Sequence, residues 1–155
     1  MSGVLVGVDG SDHSSKALEW GACEAALRHV PLTVLTVYQD ATGYWGAAFT
    51  YASEEILATG EEELARQARK EAQHQTDEVL AGLGDGLRPA AVTVLAVSGI
   101  PAEELLAETE SVAADLLVVG SRGAGGFRKL LLGSVSSQVT LHARVPVVVI
   151  PDENR

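Results

Sequence analysis

The feature that most constrains the fold is a set of short, continuously apolar runs separated by helix-length segments. The runs are GVLVGVD at residues 3–9, LTVLTVY at 32–38, AVTVLAV at 91–97, LLVVG at 116–120 and VPVVVI at 145–150. Strands that are apolar at every position, rather than at every second one, are buried on both faces by covering helices. The pattern therefore predicts an α/β fold, a three-layer sandwich in which helices cover both faces of a five-stranded parallel sheet.

A single domain is predicted for residues 1–155, because a chain of this length buries enough surface to fold without disulfides or metals. Cys23 is the only cysteine, which fits a reducing compartment. The start, MSGVLVGVDG, lacks the basic segment and cleavage site of a signal peptide, and every apolar run is much shorter than a membrane-spanning helix. These features predict a cytoplasmic protein with no membrane partner.

The charge of the chain is strongly acidic but unevenly distributed. A formal net charge of −10 opposes general binding to nucleic acid or anionic lipid. However, no Asp or Glu occurs between Asp115 and Asp152. Four basic residues lie in that interval: Arg122, Arg128, Lys129 and Arg144. The local loss of acidic residues removes repulsion toward an anionic ligand in this segment.

Helices are predicted between the strands. The first begins near Ser11, whose hydroxyl is a suitable N-cap, and ends at about residue 29. Its larger apolar residues recur at helical spacing and are predicted to face the sheet: Trp20, Cys23, Leu27 and Val30. Further helices are predicted over residues 54–83, from Pro101 onward, and over residues 134–143.

Two glycine-containing segments follow strands of the predicted sheet. Asp9, Gly10 and Ser11 come directly after the first strand, and GSRG at residues 120–123 follows the fourth. In open α/β sheets, ligands bind beyond the carboxyl ends of the strands, where the strand order reverses. Both segments are therefore candidate parts of a binding site.

Residues 120–136 read GSRGAGGFRKLLLGSVS. Gly120 and Gly123 allow backbone amides to turn toward an anion, and Gly133 precedes a helix whose first amides carry partial positive charge. The hydroxyls of Ser134 and Ser136 can add donors, so the pattern favours a phosphate site. The residues alone leave an alternative open, in which the glycines only form turns, Ser134 is a helix cap and Asp9 is a turn former.

The motif has the spacing G-x2-G-x9-G-S, and several other blocks accompany it in order. They are VGVDGSDHSSKAL, LLVVGSRG, LLLGSVS and HARVPVVVIP, and they extend over residues 3–151. On these blocks the sequence resembles the ATP-binding members of the universal stress protein family. The resemblance implies the strand order 3-2-1-4-5, in which the first and fourth strands are neighbours.

The resemblance also implies a ligand set. Asp9 and Val37 match positions at the adenine and ribose. The residues that would surround the ribose and phosphates are Gly120, Arg122, Gly123, Gly133, Ser134, Val135 and Ser136. The implied cofactor is ATP, with Mg²⁺ or Mn²⁺ held on the phosphates rather than by a metal site of the protein.

No catalytic residue is predicted. The chain lacks the GxxxxGK[ST] motif with its phosphate-binding lysine, and no evident general base or nucleophile adjoins the glycine motif. These absences favour binding over turnover, and with the family resemblance they imply a nucleotide-dependent regulator in a stress response rather than a fast enzyme. Slow ATP hydrolysis, cyclic AMP binding and a nucleotide-free scaffold stay open as alternatives.

Two interaction surfaces are predicted. The run from Val145 to Ile150 is expected to form an edge strand, which invites pairing with another chain, and the resemblance implies a homodimer through it. The aromatic segment at residues 44–51 is a candidate flap over the nucleotide or a site for a protein partner of unknown identity.

Overall fold

Strands and helices alternate along the chain as the apolar runs predict. The computed structural model describes residues 2–39, 54–122 and 132–152. The strands are β1 Val4–Val8, β2 Leu32–Tyr38, β3 Val92–Ser98, β4 Leu116–Gly120 and β5 Val147–Ile150. The helices are α1 Asp12–Arg28, α2 Glu54–Ala81, α3 Pro101–Ser111 and α4 Ser134–His142, with a short 3-10 helix at Asp85–Leu87.

The five strands form one parallel sheet in the order β3-β2-β1-β4-β5. The α/β class and the strand order are therefore confirmed. The last strand begins at Val147 instead of Val145, since Pro146 has no N–H to donate to the sheet. Within the described residues, no helix is both long and apolar enough to cross a membrane.

Alternate residues of the central strands contribute to two separate cores. Val4 and Val6 pack with α1 and α2 on one face, whereas Leu5 and Leu117 pack with α3 and α4 on the other. All four side chains are at most 1% exposed. Because both faces of β1 and β4 are covered, these strands need apolar residues at every position.

The predicted inward face of α1 is wrong. Trp20 is 37% exposed and Leu27 is 65% exposed, while Cys23 and Val30 pack only at the margin of the core. The buried residues of α1 are mostly small: Ser14, Ala17, Leu18, Gly21, Ala22 and Ala25. A Cβ atom at Gly21 would lie 2.4 Å from Cγ2 of Val6. At Gly21 the helix lies so close to β1 that no larger side chain fits, while Trp20 and Leu27 are left at the rim.

Candidate functional site

Three of the predicted site segments meet at the carboxyl edge of the sheet. Val8 pairs with Thr36, and Val6 pairs with Val118. Continuing these parallel registers places Asp9 level with Val37 on one side and with Ser121 on the other. Candidate residues that are far apart in the sequence therefore occupy neighbouring positions across β2, β1 and β4.

The turn after β1 is held by its own polar side chains. Oδ1 of Asp9 accepts hydrogen bonds from the backbone N–H of Ser11, at 3.0 Å, and from the Ser11 hydroxyl. The same hydroxyl oxygen accepts from the N–H of Ser14 at 3.2 Å and so caps α1. Gly10 has φ +82°, a left-handed conformation that favours glycine. Asp9 thus does form a turn, and its side chain lies at the exposed surface of the site.

The turn after β4 makes a close approach to the first turn of α1. A Cβ atom at Gly120 would lie 3.2 Å from the carbonyl oxygen of His13 and 3.3 Å from that of Arg122. Both neighbours are backbone atoms, which cannot move aside as a flexible side chain would. A glycine at position 120 therefore lets the two turns lie side by side, with Arg122 half-buried beside them.

The start of α4 is tied directly to the end of β4. The N–H of Gly133 donates to the carbonyl of Ser121 at 2.6 Å. The hydroxyl of Ser136, which is 2% exposed, donates to the carbonyls of Ser121 at 3.0 Å and Gly133 at 3.1 Å. The two ends of the glycine motif are thus adjacent in space. The Ser136 hydroxyl is engaged with the backbone, whereas Ser134 is exposed and Val135 half-buried.

The N-terminus of α4 differs from those of α1 and α3. α1 has Ser11 as a side-chain cap and Asp12 in its first turn, and α3 has Glu103 and Glu104 in its first turn. The N-cap of α4 is Gly133, which makes no side-chain cap, and the first turn has no acidic residue. Ser134 is therefore the first helical residue rather than the cap. A first turn with no side-chain cap and no acidic residue makes the α4 terminus the most favourable of the three for an anion.

Two polar residues near the site were not found from the sequence. Oδ1 of Asp152, after β5, lies 3.7 Å from Nδ1 of His13. Gln75 of α2 donates hydrogen bonds to the first turn of α1. Both contacts join residues far apart in the chain, and no local sequence pattern indicates them.

Some predicted residues lie outside the described part of the chain. These are Gly123, Arg128, Lys129 and the aromatic segment at residues 44–51. A search of the described residues found no group of three or more His, Cys, Asp or Glu that could hold a metal ion.

Comparisons with known proteins agree with the fold. The model of the universal stress protein family matches residues 1–151. A universal stress protein of Mycobacterium tuberculosis strain H37Rv is 36% identical over 158 residues, and this match covers 99% of the chain and 49% of the relative. The chain thus spans about half the length of the curated relatives it matches.

Two solved structures illustrate the structural similarity. One is a universal stress protein in complex with cAMP, with a TM-score of 0.60 and 25% identity, over 97% of this chain and 96% of that one. The other is a universal stress protein family protein from Arabidopsis thaliana with AMP bound. Its TM-score is 0.57 at 22% identity, over 99% of this chain and 94% of that one. The second similarity concerns the fold only.

Proposed function

Because the chain belongs to the universal stress protein family, we propose that it binds an adenine nucleotide at the carboxyl edge of β1 and β4. The observation that carries the proposal is the α4 N-terminus, which has no side-chain cap and no acidic residue and is tied to the turn after β4. The cAMP complex of a structurally similar universal stress protein supports the same ligand class.

The proposed nucleotide lies across the sheet edge. Its phosphates lie against the start of α4, Gly133 to Ser136, and beside Gly120 and Arg122. Gly123, which lies outside the described residues, belongs to the same predicted set. Its ribose and adenine lie toward Asp9 and Val37. Two strand spacings, about 10 Å, separate β2 from β4, so the base and the phosphates would contact different strands. The carboxylate of Asp9 is suited to accept hydrogen bonds from ribose hydroxyls.

Within this ligand class we favour ATP with Mg²⁺ or Mn²⁺. A triphosphate adds several negative charges to a protein whose net charge is already −10, and a divalent ion on the phosphates offsets this repulsion. The proposed role is regulatory: a nucleotide that binds one conformation more tightly shifts the population toward it, and with it the affinity for a protein partner.

The oligomeric state and the cellular compartment of the protein remain predictions. β5 is an edge strand, and all four of its residues are only half-buried. An uncovered edge presents unpaired backbone groups to a second chain. We therefore propose a homodimer through the Val145–Ile150 strand, in the cytoplasm.

The test is calorimetric titration of nucleotide-stripped protein with ATP and magnesium, AMP, cAMP, and GTP as a control for the base. Wild type is compared with Gly120→Ala, whose Cβ meets the His13 carbonyl at 3.2 Å, and with Gly84→Ala, whose Cβ meets nothing within 4 Å. We expect saturable binding of an adenine nucleotide that Gly120→Ala weakens about tenfold or more and Gly84→Ala leaves unchanged. Failure of folded wild type to bind any of the adenine nucleotides would overturn the proposal.

A further inference from the structure

Gln75 connects α2 to the first turn of α1 across about 60 residues of sequence. Its side-chain Nε2 donates to Oγ of Ser14 at 2.9 Å and to Oγ of Ser15 at 2.8 Å. A longer contact, 3.3 Å, reaches the carbonyl oxygen of Ser11. Gln75 is only 9% exposed, so these hydrogen bonds are shielded from water. The Gln75 amide therefore fixes the first turn of α1 against α2.

The same hydrogen bonds continue to Asp9. Oγ of Ser14, which accepts from Gln75, also accepts from the N–H of Asp9 at 3.2 Å and donates to the carbonyl of Ser11 at 2.9 Å. The N–H of Ser11 in turn donates to the Asp9 carboxylate. Gln75 is thus linked to Asp9 by two routes. One runs through the Ser14 hydroxyl to the N–H of Asp9, and the other runs on through Ser11 to the Asp9 carboxylate.

The other half of the Gln75 amide lies in an unfavourable environment. Its Oε1 is buried and makes no hydrogen bond within the described part of the molecule. A buried amide oxygen without a partner destabilises the folded state, whereas an apolar side chain of similar size would avoid this cost. The neighbouring Thr76 shows the contrast, because its buried hydroxyl donates to the Ala72 carbonyl of its own helix. The unpartnered Oε1 offsets part of the stability that the Nε2 hydrogen bonds contribute, so the net gain in folding free energy from this glutamine is small.

We propose that Gln75 is a positioning residue for the nucleotide site. It holds the first turn of α1 where Asp9 faces the ribose and where the carbonyl of His13 lies against Gly120. This inference rests on the proposed function and adds a regulatory consequence. If α2 positions the site, nucleotide binding must stabilise the docking of α2 by the same coupling free energy.

The experiment compares Gln75→Leu and Gln75→Glu with the matched control Thr76→Val, which removes a buried hydroxyl that donates within α2. Affinity for ATP with magnesium is measured by calorimetry and stability by urea unfolding. Backbone amide exchange at Ser14 is measured without nucleotide. We expect Gln75→Leu to weaken binding about tenfold and to speed exchange at Ser14. Thr76→Val should change stability but neither of these readouts.

Gln75→Glu adds a pH readout that general destabilisation does not produce. The ionised carboxylate has no proton to donate to the Ser14 hydroxyl or the Ser11 carbonyl, but the protonated acid has one. Nucleotide affinity of this variant should therefore rise toward wild type on acidification, after correction for any change seen in wild type. This readout also serves if Gln75→Leu does not fold.

The outcomes separate the two proposals. If wild type binds no nucleotide, both the proposed function and the positioning role of Gln75 are refuted. If wild type binds and Gln75→Leu binds equally well, only the positioning role is refuted. A loss of affinity in Thr76→Val equal to that in Gln75→Leu would likewise refute it, because the effect would then follow from stability.

Discussion

Replacement of Gly21 by alanine tests how α1 lies on the sheet. In most helix interiors this change stabilises a protein, since alanine is favoured over glycine by about 1 kcal/mol. At position 21 the new Cβ would lie 2.4 Å from Cγ2 of Val6, a side chain that is 0% exposed. Valine is stiff at χ1 and cannot rotate away within a packed core. The helix must therefore move off the sheet.

The magnitude follows from these opposing effects. Carbon atoms in contact normally lie about 3.5–4 Å apart, so the new Cβ would overlap Cγ2 of Val6 by more than about 1 Å. Overpacking of this kind costs about 3 kcal/mol at the upper end of its usual range. After the gain in helix propensity, we expect Gly21→Ala to lower the free energy of unfolding by about 2 kcal/mol.

Gly60→Ala is the matched control, because Gly60 lies in α2 and a Cβ there would meet nothing within 4 Å. It should raise the free energy of unfolding by about 1 kcal/mol. Urea unfolding followed by circular dichroism measures both variants. With a slope of about 2 kcal/mol per molar, the two midpoints should move in opposite directions and differ by roughly 1.5 M.

A Gly21→Ala variant as stable as Gly60→Ala would refute this reasoning. α1 would then not contact β1 through its small residues. The alternative face with Trp20 and Leu27 would have to point inward, as its periodicity predicts.

Two further predictions concern the site and the assembly. Ser136→Ala removes one buried donor, but the carbonyls of Ser121 and Gly133 keep backbone donors, so we expect a loss of about 1 kcal/mol, or roughly 3 °C in Tm. Unchanged melting with lost nucleotide binding would instead place that hydroxyl on the phosphates. For the assembly, light scattering at micromolar concentration should give twice the chain mass of 16.2 kDa, and a monomer mass would contradict the proposed dimer.

Much of the architecture could be predicted from local pattern. Continuously apolar runs indicated a sheet covered on both faces, and the structure confirms five parallel strands with those runs at their centres. Glycines after β1 and β4 indicated where a ligand site would lie. Gly10 has the left-handed φ and Gly120 the close backbone contact that explain why glycine occurs there. Ligand binding by these residues stays a prediction.

Details that depend on packing between distant elements could not be predicted in this way. Helical periodicity showed that α1 carries a stripe of large apolar residues, but a close helix–sheet contact selects small ones, so Gly21 is buried and Leu27 is 65% exposed. The hydroxyl of Ser136 looked like a phosphate donor, yet it donates to the carbonyl of Gly133 three residues earlier and to that of Ser121, 15 residues away in sequence.

The sequence by itself determined the class of the fold, the order of its elements and the edge where the candidate site lies, because apolar periodicity and glycine conformation act over a few neighbouring residues. Only the tertiary structure decided which face of α1 meets the sheet, how Gly133 joins the end of β4, and that Gln75 holds the turn of Asp9. The Gln75 hydrogen bonds alone join residues 60 or more positions apart, and a polar side chain bound at that distance leaves no periodic pattern in the sequence.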